Sequence, residues 1–174
     1  MEKAIYLGRA GVGIMALIAV LLLASFACGP APPCMPLLAA INQKNVEVVR
    51  EHMDSGTDPN KMFVWQGRDL AGASALHLAV SVEHKEITEL LLQNGADINI
   101  RARDEHGGTP LHWAAFLGYK QMTETLVEAG ADINAPDDDG CTPLDAALTN
   151  PDLDPKTKTE IADYLRKNGA ITRD

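Results

Sequence analysis

Thr109-Pro110-Leu111-His112-Trp113-Ala114-Ala115, closed further on by Gly130-Ala131-Asp132-Ile133-Asn134, is the stretch that decides the fold. Thr109 is a residue type that caps helices, and Pro110 suits the first helical position, where no backbone N–H is needed. Leu111, Ala114 and Ala115 then fall at i, i+3 and i+4, the spacing of one helical face. The alanines are small, so a partner helix can approach closely. Met122, Leu126 and Val127 carry the same spacing into a second helix. Gly130 ends that helix at a place that favours a left-handed residue. The stretch predicts a pair of short helices joined by a turn.

The pattern recurs in both directions. Ser74-Ala75-Leu76-His77-Leu78-Ala79-Val80 leads to Gly95-Ala96-Asp97-Ile98-Asn99, and Met35-Pro36-Leu37-Leu38-Ala39-Ala40-Ile41 leads to Gly56-Thr57-Asp58-Pro59-Asn60. In all three copies the first residue stands 25 positions before the closing Asn. A fourth copy starts at Thr142-Pro143-Leu144-Asp145-Ala146-Ala147 and closes at Leu165-Arg166-Lys167-Asn168-Gly169-Ala170. Each helix pair has an apolar face that only its neighbours can cover, so stability is shared along the row.

These residues resemble the ankyrin repeat, whose pattern is TPLHxAA, a second helix and GADxN. The resemblance covers residues 35–174. It implies an all-α solenoid of about four helix–turn–helix units, over residues 35–60, 70–99, 104–134 and 137–170. Three departures stand out. Asn60 and Asn99 are 39 positions apart and Asn99 and Asn134 are 35 apart, against roughly 33 in a plain repeat. The excess falls in the loops Lys61–Ala73 and Ile100–Gly108. The last unit has an insertion between its helices, Asn150–Lys158, with Pro151 and Pro155 as breakers.

Residues 1–27 have a different character. Lys3 and Arg9 stand near the start, and residues 10–27 carry no charge. The run closes on Ser25 and Ala27, just before Cys28. A positive start, an apolar middle and small residues at the end are the layout of a secretory signal. LLLASFAC resembles the lipobox of bacterial lipoproteins, with Ser25 and Phe26 departing from the usual residues. The resemblance implies that Cys28 is lipidated and becomes the mature N-terminus. Two other readings stay open: an uncleaved signal/anchor helix, since the 18 apolar residues reach the ~17–25 that span a bilayer, and ordinary cleavage after Ala27. Residues 28–34, rich in Pro, read as a stiff linker. All three readings place the repeat domain at the cell envelope, outside the cytosol or tethered to a membrane.

Charge narrows the partner. The net charge is −9, and binding to phosphates depends on Lys and Arg displacing counterions. Nucleic acid is therefore discounted, and a basic protein surface is favoured. Three cysteines, Cys28, Cys34 and Cys141, are too few for a disulfide scaffold. There is no CxxC, HExxH or GxSxG, so no catalytic residue, metal or cofactor is expected. Asp137-Asp138-Asp139-Gly140 has Leu148 where a calcium loop needs its final Glu, and reads as an acidic turn opening the fourth unit.

The resemblance also implies a surface. Ankyrin stacks hold partners with their loop tips and the inner helix face, and the two positions after TPLHxAA point into that groove. They are Phe116 and Leu117 in the third unit, Ser81 and Val82 in the second, Asn42 and Gln43 in the first. Phe116 and Leu117 are apolar where polar residues are common, which makes them candidate anchors; the alternative is that they pack under a neighbouring loop. In the long loop, Phe63 is expected to fold back over the groove or the first unit, and Trp65, with Arg68, to meet a partner. Arg103, Glu105 and His106 complete the candidate surface, against the alternative of a solvated turn with local ion pairs. His77 and His112 share one motif position, at which the ankyrin histidine holds the turn by hydrogen bonds. The function expected is protein–protein recognition by an exported, membrane-tethered module, with no small-molecule substrate and no catalysis. A protective scaffold for an envelope protein is the second reading.

Overall fold

A computed structural model gives the structure of the protein and describes residues 35–63 and 72–173. Eight helices run through them in four pairs: α1 (Leu37–Asn42) with α2 (Val46–Asp54), α3 (Ala75–Ser81) with α4 (Lys85–Gln93), α5 (Pro110–Leu117) with α6 (Lys120–Glu128), and α7 (Pro143–Thr149) with α8 (Pro155–Lys167). No described helix is long and apolar enough to cross a membrane. The apolar run 10–27, Cys28 and the linker through Cys34 lie outside the described residues, as do Trp65 and Arg68.

The inner helices α3, α5 and α7 each start on a capping box. Ser74, Thr109 and Thr142 receive the N–H three residues on, and the side chain there reaches back to the cap's own N–H. Pro110 and Pro143 occupy first-turn positions. The inner helix of the first unit begins at Pro36 without a side-chain cap. His52 of α2 ties down the entry to this helix, with Nε2 2.7 Å from the carbonyl of Met35.

The predicted helical faces are buried. Leu111, Ala114 and Ala115 are almost fully covered, as are Ile87, Leu90 and Leu91 and the pair Met122 and Leu126. Three apolar clusters follow the chain. The first joins α1–α4, from Leu37 to Leu91. The second sets Val80 of α3 against Leu111, Ala114, Met122 and Leu126. The third sets Ala115 of α5 against Leu144, Ala147, Ile161 and Leu165. Residues at the end of one unit's inner helix are thus covered by the next unit.

The connections form short fingers that pair edge to edge. The bridge between Phe63 and Ala73 closes the base of the long loop, and Phe63 packs against the first cluster, as expected from the sequence. The Arg103 N–H donates to the Gly72 carbonyl (2.9 Å), and the Asp138 N–H to the His106 carbonyl (2.7 Å). Gly72 has φ +97°, and a Cβ on it would stand 2.4 Å from the Cβ of Arg103. Only glycine fits where the two fingers meet.

The closing asparagines form a second row of ties. The Asp97 N–H donates to Asn60 Oδ1 (2.7 Å), the Asp132 N–H to Asn99 Oδ1 (2.8 Å) and the Ile171 N–H to Asn134 Oδ1 (2.9 Å). Each is a bond from one unit to the next.

One expectation needs correcting. Pro155 does not break the last unit. It stands at the first turn of α8, capped by Asp154, which accepts the N–H groups of Lys156 and Thr157, both at 3.0 Å. Proline at that position is favourable because its missing N–H had no helical partner. The inserted loop therefore ends at Asp154, and α8 runs for 13 residues.

Leu126 is wholly buried in the second cluster. We expect Leu126→Ala to cost about 2–5 kcal/mol and Asn99→Ala about 1 kcal/mol. Both are checked by denaturant midpoints at unchanged slope.

Candidate partner-binding face

The two motif histidines are joints between units. In His77, Nδ1 faces the Ser74 hydroxyl (2.9 Å) and accepts the Ser74 N–H (3.3 Å). Its Nε2 lies 3.0 Å from the Gly108 carbonyl in the next unit. His112 repeats this with Thr109 (2.8 Å to the hydroxyl, 3.1 Å from the N–H) and the Cys141 carbonyl (3.0 Å). A ring that accepts on Nδ1 and donates from Nε2 is neutral. Burial pulls His77 from 6.5 down to about 4, outweighing the Gly108 carbonyl that favours the proton. Burial also lowers His112, against the Cys141 carbonyl.

These joints align the C-terminal ends of the inner helices, where the candidate surface lies. Phe116 and Leu117 are both half-buried at the end of α5. The carbonyl of Phe116 accepts the side-chain N–H of buried Asn150 (2.7 Å). Gly118 turns the chain at φ +80°, and a Cβ there would stand 2.3 Å from Leu153 Cδ2. The inserted loop of the last unit is therefore folded over the end of α5, with Leu153 against Gly118. Ser81 ends α3. Its hydroxyl donates to the Leu78 carbonyl (2.8 Å), and its own carbonyl accepts the Tyr119 hydroxyl (3.4 Å). Val82 is half-buried against the first cluster. Ser81 and Phe116 thus stand at one register on neighbouring helices, and Val82 serves the core as well as the edge.

The fingers stand at the other end of the inner helices. Phe116 is seven residues past its cap, or about 10 Å along the helix. Arg103 pairs through its backbone with the preceding finger, and Glu105 is exposed. His106 Nδ1 lies 3.1 Å from Asp139 Oδ2, and Arg101 Nη2 lies 2.6 Å from Asp138 Oδ1. These contacts are not local to the turn. With each finger numbered by the unit it leads into, they clasp the third finger (residues 100–108) to the fourth (residues 135–141). Asp137 Oδ1 accepts the N–H groups of Asp139 (3.0 Å) and Cys141 (2.7 Å), so this acid is used inside its own turn.

Comparison with known proteins agrees with this geometry. A family model of ankyrin repeats in three copies matches residues 18–102 and 37–137, and one for arrays of many copies matches residues 111–166. The chain belongs to the ankyrin repeat family. A curated relative, an ankyrin repeat-containing protein of Schizosaccharomyces pombe, is 37% identical over 62 residues, which are 36% of this chain and 27% of that protein. The chain thus matches only about a quarter of the yeast protein's length. Ankyrin repeats imply a protein–protein interaction module, typically without catalysis.

Reading the ankyrin motif by its fixed letters concealed one residue. Trp113 fills a variable position, yet it stands three and four residues before Phe116 and Leu117 and so shares their helical face. Its ring meets His77 edge-on, with centroids 5.0 Å apart and planes at 63°. Trp113 therefore extends the apolar stripe of α5 back towards the fingers. The same i, i+3 spacing in the sequence was the available signal. Asn150 and Leu153 carried none, because their contacts with α5 are tertiary.

The histidine joints give a pH dependence. An unfolded chain protonates these rings near 6.5, whereas folded His77 does so only near 4. Between the two the unfolded state binds more protons, so stability is complete above about pH 6.5 and is lost as pH falls towards 4. For His77 alone the loss is about 3 kcal/mol. Denaturant midpoints measured across that window should fall, and His77→Gln should flatten the fall.

Proposed function

We propose that this ankyrin stack is an exported module, tethered at a membrane through its N-terminal segment, whose concave face receives a basic segment of a partner protein. The single observation carrying the groove assignment is the half-buried apolar stripe Trp113, Phe116 and Leu117 on the inner helix of a central unit. Aromatic residues in the middle of a recognition surface are efficient anchors. Glu83, Glu105 and Asp152 are exposed, in a chain of net charge −9. Complementary charge would speed and orient the encounter of a basic partner. The apolar run before Cys28, with its lipobox-like end, supports export and tethering.

Two measurements test the reading. Phe116→Asp with Leu117→Asp is expected to keep the unfolding midpoint within a few degrees and to weaken a partner recovered with the unaltered chain by at least tenfold. Undiminished affinity in the folded double variant would remove the groove from the reading. Intact mass of the mature protein should show acyl chains on Cys28 as the N-terminal residue. A protein that begins at unmodified Cys28 would be secreted without a tether.

A further inference from the structure

Two kinds of tie join successive units: a motif histidine reaches the strand that leads into the next unit, and a closing asparagine reaches the closing segment of the next unit. His77 and His112 donate from Nε2 to the carbonyls of Gly108 and Cys141. Asn60 and Asn99 accept the N–H groups of Asp97 and Asp132. The fourth unit carries Asp145 where its neighbours carry histidine. A carboxylate can accept its cap's N–H, as Asp145 does from Thr142 at 2.9 Å. It has no proton to give a following carbonyl. It can instead take an N–H.

The chain beyond α8 supplies one. The Arg173 N–H donates to Asp145 Oδ2 (3.0 Å). The Ile171 carbonyl accepts from the Thr142 hydroxyl (2.9 Å), and the Ile171 N–H donates to Asn134 Oδ1 (2.9 Å). The Gly169 carbonyl accepts from Asn134 Nδ2 (3.1 Å), just as the Gly95 carbonyl accepts from Asn60 Nδ2 (2.9 Å). The side chain of Arg173 runs along Gly140 and donates to the Asp139 carbonyl. The carboxylate of Asp139 is the one that holds His106 of the third finger.

We infer that residues 171–173 are a strap that folds back on the start of the fourth unit's inner helix through Thr142 and Asp145 and, through Arg173 and Asp139, holds the fourth finger in position at the margin of the binding face. Asp145 in place of histidine is what lets the strap engage, because the joint needs an acceptor there. Movement of the strap is thereby coupled to the acidic finger pair that borders the groove. This inference does not depend on the identity of any partner.

Amide hydrogen exchange, read by mass spectrometry or NMR on the full chain and three variants, tests it. A chain ending at Ala170 should exchange at least tenfold faster in α7 and in residues 137–141, with α1–α4 unchanged. Asp145→His keeps an acceptor for the Thr142 N–H and removes the one for Arg173. It should raise exchange at the Arg173 amide tenfold and loosen α7. Arg173→Ala should loosen residues 137–141 and leave α7 protected. Unchanged α7 rates in the Asp145→His chain would overturn the inference, as would equal acceleration of all eight helices in the shortened chain. An unmoved fourth finger in Arg173→Ala would overturn its coupling to the groove.

Discussion

A helix pair as short as those in this chain cannot bury its own apolar face, so each unit is stable only when its neighbour covers it. The constraint appears at one position repeated through the stack. Ile41, Val80 and Ala115 stand at the same place in three successive inner helices, and all three are completely buried. Leu148 occupies that place in the fourth, and is 39% exposed. Burial of apolar area supplies the attraction between units without specifying how they register. Register comes from the polar ties: a ring nitrogen or an amide of one unit meets a defined backbone group of the next.

The histidine ties have to be satisfied because His77 and His112 are buried. A donor or acceptor left without a partner in such a place costs about 1–3 kcal/mol. A misregistered unit would leave an imidazole and a row of backbone groups unpaired. The same burial keeps His77 neutral and makes it sensitive to acid. Asp145 responds differently. Burial disfavours its charge, but the N–H groups of Thr142 and Arg173 outweigh this and hold its carboxyl below the usual range. The joints at His77 and His112 are therefore built on a neutral donor and the joint at Asp145 on an anionic acceptor, as the groups facing each of them require.

The candidate binding face is a product of this stacking. The helix ends that carry Ser81 and Phe116 are brought to one register by the joints and then tied across by Tyr119 and Asn150. The fingers are clasped by Arg101–Asp138 and His106–Asp139. Both pairs are partly exposed and contribute modestly to stability, so their effect is mainly to define the shape of the margin. The apolar stripe is local to α5, but its setting between the tied helix ends and the clasped fingers follows from residues that lie far apart in the chain.

The number of units, the helical faces, the caps and the closing glycines were legible in the sequence, because each depends on residues within one turn or one repeat of each other. Thr109-Pro110, Leu111, Ala114 and Ala115 announce a helix start and a buried face by spacing alone, and the 25-residue offset to the closing Asn announces the repeat. Even the local signals were open to misreading. Pro155 marks a boundary, but only Asp154 and the backbone conformation show that it begins a helix and does not interrupt one. What the tertiary structure decided is where groups from different units meet. Spacing does not show that His77 reaches Gly108, that Leu153 lies over Gly118, or that His106 pairs with Asp139 and not within its own turn. Those contacts join residues about 30 or more positions apart, and they arise only once burial of the helical faces has stacked the units.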